Sequence, residues 1–256
     1  MGPVIPGFVE FEFDLPDALL TSIEAVFDRL DSAPLLPSNV EGIPEAQGVY
    51  MLLLRDDIVY IGKTDAEAGL KNRLSRHAWT IQHRLNLDPN EVTFKAVRVF
   101  VFTAMDLETQ LIRHYRERKS VSWNFSGFGS NDPGRQRDTT NVKPEGFDTS
   151  YPIDIDRELD IDIGDSPTAA ELLRAMKEVL PYTLRFERAT RGGRQPHPDL
   201  TAARVMLPSR PFTTRALIVA AVRALAPGWQ ATALPSRVII YRESRQYEYG
   251  TIIEAT

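Results

Sequence analysis

Gly48-Val49-Tyr50-Met51-Leu52-Leu53-Leu54-Arg55-Asp56-Asp57-Ile58-Val59-Tyr60-Ile61-Gly62-Lys63 is the stretch whose reading decides the fold. Two apolar runs, Val49 to Leu54 and Ile58 to Ile61, are rich in strand-forming residues and are separated by the polar trio Arg55-Asp56-Asp57, so the stretch reads as a β-hairpin. Downstream, a helix is expected from about Ala68 to Leu85, a strand over 92–102 (VTFKAVRVFVF), and a helix from Met105 to Lys119 with Leu111, Ile112 and Tyr115 on its apolar face. The order is strand, strand, helix, strand, helix. Upstream, Leu19, Leu20, Ile23, Val26, Phe27 and Leu30 share one helical face before Asp31-Ser32-Ala33-Pro34 stops the helix. Residues 122–146, rich in Gly, Ser, Asn and Pro, read as a long ordered loop of the kind that carries function.

The C-terminal third reads as a further α+β module. Thr168-x-x-Glu171 makes a capping box ahead of Leu172, Leu173, Met176, Val179 and Leu180. Strands are expected at 182–187 and 203–207, a helix at about 213–226 ending at Pro227-Gly228, and strands near 229–233, 236–242 and 247–254. The division that follows is an N-terminal helical arm (1–45), a central domain with its loop extension (46–165) and a C-terminal module (166–256).

A chain of 256 residues with 43% hydrophobic and 25% charged residues lies in the globular range, long enough for one sizeable core and a second, smaller one. No apolar run approaches the roughly 18 residues of a membrane span. The sequence has no cysteine, which excludes disulfides, thiolate nucleophiles and cysteine-ligated zinc. The N-terminus lacks a basic region followed by an apolar core, so the expectation is a cytoplasmic protein. A net charge of -5 argues against a nucleic-acid partner only if the charge is evenly spread, and it is not. Residues 63–119 carry eleven bases against seven acids and residues 174–245 thirteen against four, whereas residues 1–50 carry nine acids and one base. The acidic stretch from Glu145 to Asp165 separates the two basic regions and places the seam near Asp165.

Two helices carry residues out of place for a plain core. Glu108 shares the face of Leu111, Ile112 and Tyr115, and a carboxylate there needs an ion-pair partner, a metal or a cleft. His77 falls within the stripe of Leu70, Leu74, Ile81 and Leu85, with Arg73 one turn before it. At this i, i+4 spacing a guanidinium and an imidazole can both address one anionic group such as a phosphate.

The ordered set Gly48-Val49-Tyr50, Tyr60-Ile61-Gly62-Lys63, Arg73, Glu108 and an asparagine beyond it resembles the GIY-YIG nuclease superfamily over roughly residues 46–126. Within it, Arg73-x-x-x-His77 and the loop Gly127-Phe128-Gly129-x-x-Asp132-Pro133-Gly134-x-x-Arg137 are most similar to the type II restriction endonucleases. The resemblance implies a small three-stranded antiparallel sheet flanked by helices, here with the additional C-terminal module. It implies a catalytic set of Tyr50, Tyr60, Lys63, Arg73, His77, Glu108 and Asn124, with Asn131 close behind Asn124 as a candidate. Glu108 is then the ligand of one Mg2+ ion per site, for which Mn2+ substitutes, and Tyr50 the general base. Free tyrosine, with a pKa of about 10, needs Lys63 or a metal-phosphate cluster nearby for that role. Tyr60 orients the attacking water or shares the base role, Arg73 clamps the scissile phosphate, and His77 hydrogen-bonds Tyr50 or the phosphate. The implied activity is hydrolysis of double-stranded DNA to 5′-phosphates at a GC-rich palindrome such as CCGCGG, by a homodimer on the DNA.

Arg76, Arg135, Arg137 and the loop arginines Arg188, Arg191 and Arg194 are the candidate DNA contacts, because arginines on a flexible turn reach phosphates or the O6 and N7 of guanine. Other readings of the chemistry fare worse. Asp106, Glu117 and Lys119 mimic the D...ExK pattern of other restriction enzymes but fall on one helix, spread over about 20 Å, instead of converging from adjacent strands. His77, His83, His114 and His197 have no zinc-binding spacing. The alternation Ile153-Asp154-Ile155-Asp156, continued over Leu159 to Ile163, is the pattern of an extended segment with one buried face, not of a metal cluster. A structure-selective repair or mobile-element nuclease, or a non-catalytic DNA-binding protein on the same fold, are the alternatives.

Overall fold

The computed structural model describes residues 6–7, 15–65, 67–100, 107–118, 121–124, 126–129, 134–139, 144–190 and 192–256. It is an α+β protein whose described residues form eight α-helices and two four-stranded sheets. In chain order these are α1 (Leu15–Arg29), β1 (Ala33–Pro34), α2 (Pro37–Val40), β2 (Gly48–Leu54), β3 (Asp57–Thr64), α3 (Leu70–Gln82), β4 (Val92–Arg98), α4 (Leu107–Arg118), α5 (Phe147–Ser150), α6 (Ala169–Val179), β5 (Thr183–Phe186), α7 (Pro198–Ala202), α8 (Thr214–Arg223), β6 (Gln230–Leu234), β7 (Arg237–Tyr241) and β8 (Thr251–Ala255). The chain divides into two compact units, residues 1–73 with 92–121 and residues 74–91 with 122–256. The division therefore runs through α3, between Arg73 and Leu74, and residues 122–165 group with the C-terminal unit.

In the first unit the strand order is β1-β4-β2-β3, antiparallel throughout. Three long strands make the sheet, and the two-residue β1, absent from the sequence reading, adds a short edge beside β4. The β2–β3 hairpin closes through Arg55 and Asp56, whose φ angles of 52° and 69° give the left-handed pair that a two-residue hairpin turn requires. Asp57 already belongs to β3. Because side chains alternate across a strand, Val49, Met51, Leu53 and Ile61 form one face, which packs with Ile23 and Phe27 of α1 and Leu111, Ile112 and Tyr115 of α4. Tyr50 and Leu52 point to the other face. β4 ends at Arg98, short of the expected 102, and residues 101–106 lie outside the described residues.

In the second unit the order is β5-β7-β6-β8, with β5 parallel to β7 and the other pairings antiparallel. Leu172, Leu173 and Met176 of α6, Leu217 and Val222 of α8, and Val238 and Ile240 of β7 share one core with the fully buried Trp229. α6 starts at the expected capping box: the Thr168 hydroxyl accepts from the Glu171 amide, and the Glu171 carboxylate accepts from the Thr168 amide at 2.7 Å. The 153–163 alternation places Ile153, Ile155, Leu159 and Ile161 in this core, while Asp156, Asp160 and Asp162 are exposed. The expected strand at 203–207 is not formed. His197 caps and Pro198 opens α7 just before it, and the segment contributes only an isolated bridge from Arg204 to Thr168. α3 stops at Gln82, three residues earlier than expected, which leaves Leu85 45% exposed, while the Leu85 amide donates to the Pro152 carbonyl.

Candidate active site

The hairpin register sets the geometry. Tyr50 lies opposite Gly62 and Leu52 opposite Tyr60, so both phenols lie on the face of the sheet away from α4, with ring centroids 6.1 Å apart. A Cβ at Gly62 would collide with the Cζ and Oη of Tyr50. The glycine is thus the floor on which the Tyr50 ring rests, and the two tripeptides of the motif are coupled across the hairpin. Gly48 serves a similar purpose, since a Cβ there would meet the Val97 carbonyl and the Leu70 side chain at the start of α3.

Tyr50 is completely buried and Tyr60 is 7% exposed. Arg73, in the first turns of α3, donates hydrogen bonds to both phenols, which are also hydrogen-bonded to each other. Burial pushes the Tyr50 pKa far above the ordinary tyrosine value, and the neighbouring Tyr60 adds to the rise while Arg73 opposes it. Tyr60 is raised as well, by burial first and also by Glu108, with Arg73 again opposing. Burial works against the Arg73 charge, but Tyr50, Tyr60 and Glu108 outweigh it and its pKa is raised. Both tyrosines are therefore protonated at neutral pH and Arg73 is a permanent cation. Its buried Nε has no hydrogen-bond partner among the described residues.

Glu108 sits in the first turn of α4, where the helix dipole favours a carboxylate, and its side chain is 29% exposed. Lys63 Nζ lies 3.9 Å from its Oε2. One residue beyond Gly62 on β3, Lys63 points to the opposite face from Tyr50 and meets Glu108, so of the two groups expected to favour the Tyr50 phenolate it is not in place to do so; Arg73 is the cation that opposes the rise of the Tyr50 pKa. The first unit thus sets Arg73 against Tyr50 and Tyr60, with Glu108 close enough to act on Arg73 and Tyr60 and paired with Lys63 from the other face of β3; the guanidinium and two neutral hydroxyls suit an anion such as a phosphate.

The remaining described candidates belong to the second unit. His77 follows Arg73 by one turn on α3, is 2% exposed, and stacks on Phe128 with centroids 4.7 Å apart. Phe128 also contacts Trp123 and Phe147, so His77 belongs to an aromatic cluster of the second unit. Asn124, half-buried, follows Trp123 in the turn of residues 122–124. Arg76 is exposed on α3. Arg135 donates to Glu187 at 2.7 Å with its guanidinium 4.0 Å from the Tyr241 ring centroid. Arg188 donates to the Arg194 carbonyl at 2.6 Å, closing the 188–194 loop, and Arg194 is exposed. Arg137 lies in a short 3-10 turn at residues 135–137. Arg191, Asn131, Asp106 and Lys119 lie outside the described residues.

The sequence reading missed Asp138. Its carboxylate, 1% exposed, accepts from Arg185 Nη1 and Arg237 Nε, each at 2.7 Å, and from the Tyr241 hydroxyl at 3.1 Å. Arg185, Arg237 and Tyr241 line up on one face of the second sheet because β5 and β7 pair Arg185 with Ile239, between the other two. No spacing in the sequence signals a partner roughly 50 or 100 residues away.

Among the described residues no three His, Asp or Glu side chains group to hold a metal ion. Glu108 alone offers a hard oxygen donor in a half-open position. That fits one Mg2+ ion whose shell is otherwise completed by water and a substrate phosphate. Among the described residues no helix is long and apolar enough to cross a membrane. No family model matches the chain, and no curated protein matches it in sequence.

Proposed function

We propose that the chain is a magnesium-dependent DNA endonuclease of the GIY-YIG type, acting as a type II restriction enzyme on a two-fold symmetric duplex site and therefore as a homodimer on the DNA. The observation that carries the reading is Arg73: a half-buried guanidinium held by two buried phenols beside Glu108. A guanidinium matches phosphate oxygens with strong, charge-assisted and often bidentate hydrogen bonds.

Hydrolysis of a phosphodiester needs charge neutralisation, an oriented water and help for the leaving oxygen. Arg73 neutralises charge on the phosphate. Tyr60, nearer the surface than Tyr50, orients the attacking water by hydrogen bonding. Tyr50 is the base of the relay: its firmly held proton would leave to bulk water through the hydrogen-bonded Tyr60 when further positive charge reaches the site, and the phenolate would then take the proton of the attacking water. Glu108 would hold Mg2+, which when bound supplies that charge and Lewis-acid assistance to the leaving 3′ oxygen. Lys63 sets the orientation of Glu108.

The test is Arg73→Ala assayed for single-turnover cleavage and for DNA affinity, with urea unfolding as the folding control. A group acting on charge that develops in the transition state should lower the rate by about 10²- to 10³-fold while Kd changes only a few-fold. Equal losses in rate and affinity would make Arg73 a binding residue and remove the main support for this reading.

A further inference from the structure

The second unit contains a cavity that the proposed chemistry does not use. It measures 260 Å³ and lies between the β6–β7 turn and residues 245–249 before β8. Two of its three acidic lining residues are already matched. Asp138 is taken up by Arg185, Arg237 and Tyr241, and Asp148 accepts from Arg84 Nη1 at 2.9 Å. The Tyr247 hydroxyl donates to Glu243 at 2.7 Å. Besides Arg245 and Glu248, the rest of the lining is largely neutral: Thr139, Ser236 and Gln246 offer hydroxyl and amide hydrogen bonds, and Pro235, Tyr247 and Tyr249 offer apolar and aromatic surface. At the mouth Arg245 is exposed, its guanidinium 5.2 Å from the Tyr247 ring centroid.

This lining suits neither a metal ion nor a bare anion, since its buried charges are paired and exposed Glu248 offsets Arg245. Pockets for drug-sized ligands measure about 300–1,000 Å³, so the occupant is smaller than that. A flat one- or two-ring heterocycle with hydrogen-bonding edges meets each condition. Proteins hold such rings by pairing aromatic or apolar faces with amide and hydroxyl groups along the ring edge, and an arginine at the mouth takes the attached phosphate.

We propose that this cavity is a binding site for a single unstacked nucleobase, with Arg245 on its phosphate. The base comes either from a free nucleotide or from a nucleotide extruded from DNA, and two arms separate these sources. In the first, deoxynucleoside 5′-monophosphates are titrated into the full chain and followed by saturation-transfer NMR. Gln246→Ala and Tyr249→Ala should each weaken binding at least tenfold at an unchanged urea midpoint. In the second, duplexes carrying 2-aminopurine are bound with Ca2+ in place of Mg2+. A severalfold rise in fluorescence, abolished by the same variants, identifies an extruded base; this arm alone rests on the nuclease reading. A variant-sensitive signal in the first arm only identifies a free nucleotide. No variant-sensitive signal in either arm overturns the site. Cleavage is read separately: loss of the nuclease reading with variant-sensitive nucleotide binding intact leaves the site standing.

Discussion

Replacing Gly62 with alanine puts a methyl group where the Tyr50 phenol lies. Tyr50 is fully buried, so its ring cannot swing into solvent, and the added methyl group is an overpacking substitution worth about 1–3 kcal/mol. Opposing this, glycine within a strand is less favourable than alanine by roughly 0.5–1 kcal/mol. The net expectation for Gly62→Ala in the native background is a loss of about 0–2.5 kcal/mol. In a Tyr50→Leu background the ring is gone, the clash disappears, and the same substitution should become neutral or stabilising. Tyr50→Leu is costly by itself, but that cost cancels in the cycle, as does the strand preference, and the coupling that remains is the steric term of about 1–3 kcal/mol. The assay is equilibrium urea unfolding of the four proteins by circular dichroism, with the transition slopes compared to check that the unfolding reaction is unchanged. A coupling below about 0.5 kcal/mol would mean that Gly62 and Tyr50 are independent, and would refute the account of why the two halves of the motif occur together.

Asp138→Ala strands two guanidiniums whose side chains are 14% and 10% exposed, so it should cost about 3–5 kcal/mol, whereas Asp156→Ala, which breaks the Arg215 pair in the open, should cost about 0–1 kcal/mol. Similar losses from both, measured by urea unfolding, would contradict the clamp assigned to Asp138. His83 is 3% exposed, and burial first, with Arg157 adding, lowers its pKa, against the Trp79 carbonyl and Asp154 that raise it. The unfolded chain then takes up the proton first, at about pH 6.5, so this contribution to stability is present above that pH and is lost as the pH falls below it. His83→Gln should flatten thermal stability between pH 7 and 5, and an unaltered pH profile would reject the assignment.

The hairpin was legible because its two apolar runs flank a polar turn, Glu108 stood out as a charge on an apolar helix face, and Arg73 through its i, i+4 spacing to His77. Sequence spacing does not show which side of a strand meets which helix. Lys63 is one of the two groups expected to favour the Tyr50 phenolate, the other being a metal-phosphate cluster, and alternation turns it to the opposite face and onto Glu108. His77 was visible as an odd residue in an apolar stripe, but its stacking partner Phe128 lies across a loop that no periodicity describes. Residues 203–207 look like a strand in isolation, and the capped helix just before them takes the chain away from the sheet. Asp138 is the extreme case, a loop carboxylate whose role exists only once β5 and β7 pair.

The central claim is that the Tyr50, Tyr60, Arg73 and Glu108 cluster hydrolyses DNA. The most direct measurement is incubation of phage DNA with the native chain and with Glu108→Ala, with and without Mg2+, resolved on a gel and by sequencing of the ends. Discrete Mg2+-dependent fragments with 5′-phosphates from the native chain, and uncut but still bound DNA with Glu108→Ala, are the predicted result. Equal cleavage by both proteins, or intact DNA from the native chain under every condition, would contradict it.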